Sequence, residues 1–133
     1  MRVTCVTIDC VTMSQSKRTI LLKTTDFDSN KVILTNDTWG DKLMHPIFGH
    51  PEIKPYFNKI ESVISDPDVV FESFRDPRSR LFYKFNLGRG KLLDCYMVVV
   101  VKYIQENFEE VGYVSTAMFN KLLPKKGNIL WQK

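Results

Sequence analysis

Tyr96-Met97-Val98-Val99-Val100-Val101-Lys102-Tyr103 carries the longest apolar stretch of the chain, from Tyr96 to Val101. It is strand-sized and far short of the ~20 residues that a membrane-spanning helix needs. Val98 to Val101 are apolar at successive positions, so a strand here is apolar on both faces. That pattern predicts a central strand, covered by helix on one side and by other chain on the opposite side. Lys102 falls on the same face as Tyr96, Val98 and Val100 by period-two counting.

Three further strand patterns flank this one, giving Val69–Ser73, Arg80–Phe85, Asp94–Tyr103 and Val111–Phe119 in order. The connections Leu87–Gly90 and Gln105–Glu110 are short, which favours an antiparallel meander. Upstream, a helix is predicted to start at His50, with Pro51 and Glu52 suited to its first turn. Ile53, Tyr56/Phe57, Ile60 and Val63/Ile64 recur at three and four, an amphipathic stripe. Asp66-Pro67 should end this helix near Ser65. A shorter helix is expected at about Thr38 to Met44, capped by Asn36, Asp37 or Thr38 and stopped before Pro46. Lys17–Lys23 and Lys31–Thr35 read as short strands around a turn-like segment and can pair as a hairpin. The sum is an α+β fold: N-terminal strands and two helices packed on an antiparallel meander of about four strands.

The 133 residues suit a single domain, 1–133, with its core over 31–131. Met13 precedes Ser-Gln-Ser-Lys and would serve as a start, which makes residues 1–12 an optional extension and residues 1–16 an expected flexible lead. The N-terminus lacks the pattern of a signal peptide. Three cysteines, Cys5, Cys10 and Cys95, form no CxxC pair, which argues against a disulfide framework or structural zinc. Reduced thiols in the cytoplasm are the expectation. Nineteen basic residues against 15 acidic ones give a net charge of +4. That suits a polyanionic partner and equally suits a charge kept for solubility.

Chemistry concentrates at His45-Pro46-Ile47-Phe48-Gly49-His50-Pro51-Glu52, which holds both histidines of the chain. They bracket the break between the two predicted helices, and loops are where reactive groups sit. Imidazole is suited to proton transfer near neutrality. The alternative is structural: His50 as a cap-like residue and His45 as a ring packed near Trp39. A second concentration is Arg75-Asp76-Pro77-Arg78-Ser79-Arg80, leading into Leu81-Phe82-Tyr83-Lys84. Guanidinium forks match phosphate oxygens, and Tyr83 offers a hydroxyl. A solvated loop tied by surface ion pairs explains the same arginines. Ser115 and Thr116 sit in the last predicted strand and face opposite ways. Each could present a donor or simply fill space, as could Lys102 at its strand end. There is no P-loop, GxGxxG or HExxH, and no dense cluster with metal-ligand spacing.

The runs KVILTNDTWGDKLMHPIFGHPEI, SDPDVVFESFRDPRSRLFYKF, CYMVVVVKY, GYVSTAMF and KKGNILW follow in order from Lys31 to Trp131. This order resembles the phage- and bacterium-encoded nucleases grouped with barnase, EndoU, colicin and RelE toxins. The resemblance implies RNA cleavage without metal or cofactor, by attack of a 2′-hydroxyl on its phosphate to give a cyclic phosphate. It implies catalytic roles for His45, His50, Arg80, Tyr83, Lys102 and Thr116. RNA contacts would come from Arg75, Arg78, Lys84, Ser115, Lys125, Lys126 and Trp131. Dependence on the 2′-hydroxyl makes RNA the expected partner. A toxin of this kind also implies an acidic antitoxin or immunity protein, and no membrane. Two other readings fit the same residues: a non-catalytic RNA-binding module, and a protein-interaction domain on the same fold.

Overall fold

The computed structural model describes residues 19–133. The expected flexible lead over 1–16, and the first two residues of the expected strand Lys17–Lys23, lie outside the described residues. Seven strands form one sheet: β1 (Ile20–Thr25), β2 (Lys31–Thr35), β3 (Val69–Glu72), β4 (Ser79–Phe85), β5 (Tyr96–Glu106), β6 (Glu109–Asn120) and β7 (Ile129–Gln132). Their order is β1-β2-β6-β5-β4-β3-β7. Only β2 and β6 pair in parallel; the other neighbours are antiparallel.

The class is therefore α+β, and the expectation of a purely antiparallel sheet of about four strands is corrected. The meander is present as β3-β4-β5-β6, inside a larger mixed sheet. The β1–β2 hairpin joins it through the parallel β2–β6 contact. After β2 the chain crosses the sheet as helical segments before descending into β3. Strand β7 is four residues long and, among the described residues, pairs only with β3. Its sequence, Ile-Leu-Trp-Gln, has no period-two pattern to announce it.

Strand β5 is central, as its four consecutive valines predict. On one face, Met97, Val99 and Val101 pack with Val32, Leu34, Phe82, Val114 and Ala117 beneath Leu43, Ile53, Ile60, Val63 and Ile64. Each fully buried Val, Leu, Ile, Phe or Met side chain among these contributes about 1.5–3 kcal/mol. On the other face, Val69, Phe71, Tyr83 and Val98 form a second cluster with Leu81, Tyr96, Val100 and Met118. Among the described residues no helix packs on this second cluster; Pro124 of the β6–β7 crossover and Leu81 line one groove there. The sheet curls around the first core. Phe27, between β1 and β2, lies 6.2 Å from the Phe82 ring of β4 and 6.3 Å from the Trp131 ring of β7.

Local irregularities have local causes. Asn107 and Phe108 both have positive φ, 50° and 68°, which closes the β5–β6 hairpin with a two-residue turn matching the strand twist. Opposite Val100 and Val101 stand Thr116 and Val114, so Ser115 is the extra residue of a β-bulge. The expected helix at Thr38 is a π-helix, Thr38–Leu43, with the Met44 N–H donating to the Trp39 carbonyl at 3.0 Å. Asp37 caps it by accepting from the Thr38 N–H. The expected helix from His50 to Ser65 divides into a 3-10 helix, Pro51–Lys59, and α1, Ile60–Ser65. Pro55 lies inside the first part and has no N–H for an α-type bond. Among the described residues, no helix is long and apolar enough to cross a membrane.

Candidate functional site

The histidine break is a tightly bonded turn in the helical layer. The Gly49 N–H donates to the His45 carbonyl at 3.0 Å, and the His50 N–H to the Leu43 carbonyl at 2.7 Å. Gly49 is required by space: a β-carbon there would fall on the Lys42 and Leu43 carbonyl oxygens. The turn gives the two imidazoles different partners at Nδ1. His45 Nδ1 accepts from the backbone N–H groups of Ile47, at 3.1 Å, and Phe48, at 3.0 Å. Two donors on Nδ1 leave that nitrogen without a proton, so the proton of the neutral ring is on Nε2. His50 Nδ1 lies 3.3 Å from Glu52 Oε2. A carboxylate oxygen accepts, so Nδ1 is the donor of this pair and Nε2 is left for another partner. Both rings are half-buried, and Ile47 and Phe48 project into solvent at the tip. His45 stacks against Phe48, with ring centroids 5.2 Å apart, and the Trp39 ring meets Phe57 at 4.7 Å.

The remaining expected catalytic residues lie elsewhere. Tyr83, Lys102 and Thr116 share the second face of the sheet, opposite the helical layer. Tyr83 stands in an aromatic row, 5.7 Å from Phe71 and 5.8 Å from Tyr96. Burial pushes its phenol pKa up, so the hydroxyl stays neutral and available as a donor. Lys102 is exposed and 3.6 Å from Asp76. Thr116 is half-buried opposite Val100, and Ser115 beside it is the bulge residue.

Arg80 points to the helical face and is engaged. Its Nη1 lies 3.6 Å from the buried Asp26 carboxylate, and its Nη2 3.9 Å from Glu110. The guanidinium stacks over the Tyr103 ring at 4.4 Å and the Phe27 ring at 5.6 Å. Tyr103 donates to Asp26 Oδ2 at 2.6 Å. Two carboxylates thus neutralise the arginine expected to stabilise charge on phosphate. The partners Asp26 and Tyr103 carry no local sequence signal, because they meet Arg80 only when the sheet curls.

Of the expected RNA contacts, Lys84 is tied to Asp66, donating to its carbonyl at 2.5 Å and its carboxylate at 3.1 Å. Trp131 packs against the first core beside Phe27. Arg75, Arg78, Lys125 and Lys126 are exposed and join no ion pair among the described residues. The structure brings Arg75, Lys125 and Lys126 to one groove of about 400 Å³, where the β3–β4 turn meets the β6–β7 crossover. Phe74 stands among them, 68 % exposed, a residue that sequence reasoning passed over in favour of its charged neighbours. Among the described residues, no group of three or more His, Cys, Asp or Glu side chains gathers as a metal site. No family model matches the chain, and no curated protein or solved structure matches it significantly.

Proposed function

We propose that the protein is a metal-independent ribonuclease centred on the histidine break. One observation carries the reading: a single turn holds two imidazoles, with His45 Nδ1 accepting from two backbone N–H groups and His50 Nδ1 3.3 Å from Glu52. In this reading His50 acts as proton acceptor through Nε2, and His45 acts as donor through Nε2. In the proposed reaction His50 removes the 2′-hydroxyl proton, and the 2′-oxygen attacks the adjacent phosphorus. The bond from phosphorus to the 5′-oxygen breaks, and the leaving oxygen is protonated by the His50 imidazolium or by water. The His45 Nε2–H donates a hydrogen bond to a non-bridging phosphate oxygen, where charge accumulates. The products are a 2′,3′-cyclic phosphate and a free 5′-hydroxyl. The resemblance of the sequence to the barnase–EndoU–colicin–RelE nucleases supports the same chemistry.

The test is incubation of the protein with total RNA and with tRNA, with and without EDTA. Cleavage is expected to survive EDTA and to leave cyclic phosphate ends. His50→Ala should lower the rate by about 10²–10⁴-fold, the usual worth of a general base. The double variant His45→Ala/His50→Ala should be inactive. RNA intact in every lane would sink the reading. A second reading, RNA binding without cleavage, is favoured by one specific feature. The sheet separates the histidines from Tyr83, Lys102 and Thr116, so the expected residues do not converge on one phosphate.

A further inference from the structure

We infer that the exposed Phe74, together with Arg75, Lys125 and Lys126, forms a docking site for an unpaired RNA strand, in which a base stacks on Phe74. The site lies apart from the histidine break and shares with the proposed function only the choice of RNA as ligand.

Phe74 sits in the turn after β3, and this turn is built to hold it. Ser73 Oγ accepts from the N–H groups of Arg75 and Asp76, both at 3.3 Å. Asp76 accepts from the Arg78 N–H at 3.1 Å and the Ser79 hydroxyl at 2.8 Å. The Ser73 N–H closes the turn on the Ser79 carbonyl at 2.9 Å. A large apolar ring on a pinned turn, exposed to water, is left unused by the core.

The second wall is the β6–β7 crossover, anchored to β3. The Glu72 N–H donates to the Asn128 carbonyl at 2.8 Å, and Asn128 Nδ2 to Glu72 Oε1 at 3.2 Å. Gly127 has φ 103°, and a β-carbon there would strike the Glu72 carbonyl, so only glycine lets the crossover come this close. The anchor sets the Lys126 ammonium 4.7 Å from the Phe74 ring centroid. Phe74 and Lys126 together line two grooves, of about 400 and 550 Å³.

The chemistry of the smaller groove selects the occupant. Leu81 and Pro124 give it an apolar floor, while Arg75, Lys125 and Lys126 supply three cations with no carboxylate in the lining. An exposed aromatic beside clustered unpaired cations matches the two parts of a nucleotide strand, base and phosphate. A duplex presents phosphates but keeps its bases stacked on one another, so Phe74 gains a partner only from an unpaired strand.

Binding is measured by fluorescence anisotropy with a labelled 2′-O-methyl octanucleotide, which has no free 2′-hydroxyl and cannot be cleaved by the proposed reaction. Phe74→Ala should weaken binding by the same factor in the parent and in the His45→Ala/His50→Ala background, so failure of the nuclease reading leaves this test intact. Phe74→Ala should weaken binding about tenfold, and Phe74→Trp should restore it. Lys125→Ala/Lys126→Ala should lower the slope of log affinity against log salt by about 1.4. A duplex of the same length should bind more weakly and show no response to Phe74→Ala. Thermal midpoints of the variants matching the parent would confirm folding, as expected for exposed positions. Binding unchanged in Phe74→Ala, or lost equally for duplex and single strand, would overturn the site. A deoxyribo-octanucleotide bound more tightly than the ribose strand would overturn the assignment to RNA.

Discussion

Asp26 shows how much one buried carboxylate can organise. Its Oδ1 accepts from the N–H groups of Asp28 and Asn30, both at 2.8 Å, and its Oδ2 accepts from Tyr103 at 2.6 Å. Arg80 supplies the opposite charge at 3.6 Å. The same residue therefore closes the β1–β2 turn and fastens it to β4 and β5. Removing one partner of a buried pair leaves the other charge uncompensated. Asp26→Ala should cost about 3–5 kcal/mol in urea unfolding. Tyr103→Phe deletes a single donor and should cost about 1–3 kcal/mol. Burial and the hydrogen bond to Asp26 also push the Tyr103 phenol well above its ordinary range. The folded state then holds this proton more tightly than the unfolded chain. Its contribution is complete below about pH 10 and is lost as pH rises above it. Stability should fall above pH 10, and less steeply in Tyr103→Phe; equal slopes in the two proteins would refute this assignment. Tyr83 is shifted the same way by burial, so the slope should not vanish.

At the scale of elements, the helical layer is defined by its interruptions. Pro55 prevents a continuous α-helix, and the chain settles into a 3-10 helix before α1. The preceding turn depends on Gly49, where a β-carbon would strike the Lys42 and Leu43 carbonyls. Gly49→Ala must open that turn and should destabilise the protein by about 1–3 kcal/mol, as overpacking does. It should also release His45 Nδ1 from its two backbone donors. Nitrogen chemical shifts of the imidazoles would report this as mixed tautomers at His45. Retention of the single Nε2–H tautomer would show that the turn does not set it. The β-bulge at Ser115 has a comparable effect on β6. It lets Val114 and Ala117, three apart, both face the first core, while Thr116 turns to the second face.

Across the whole molecule, ion pairs tie distant segments together at the surface. Asp66, at the end of α1, meets Lys84 of β4 at 3.1 Å and Lys133 at 3.3 Å. Asp76 holds the β3–β4 turn and meets Lys102 of β5. Hydrogen bonds from Lys84 and Lys133 hold the Asp66 carboxyl below its ordinary range, and hydrogen bonds from Ser79 and the Arg78 backbone do so for Asp76. Groups lowered in this way contribute stability above about pH 4 that is lost on further acidification. The urea midpoint should decline below pH 4, and Asp66→Asn/Asp76→Asn should flatten that decline. An unchanged acid limb in the double variant would assign the loss to other carboxylates. Asp66 is exposed and Asp76 half-buried, so added salt should shrink their contribution, most at Asp66.

The sequence by itself determined the elements that have a strong local period or a strong breaker. Four valines in a row identified the central strand, the Ile53–Ile64 stripe identified the buried helical face, and Asp66-Pro67 marked its end. These signals act between neighbours in the chain, so they are legible without a fold. Tertiary structure alone decided which elements meet. The parallel β2–β6 contact, the β7 edge and the curl that brings Asp26 to Arg80 join residues far apart in sequence, and no local pattern encodes those pairings. The same distinction divides the candidate residues. His45 and His50 stay together because four residues of one turn separate them. Tyr83, Lys102 and Thr116 were placed with them in sequence, yet a strand shows alternate residues to opposite faces, and the sheet stands between the two groups. Phe74 meets Lys126 only because a glycine at 127 lets the crossover lie directly on β3.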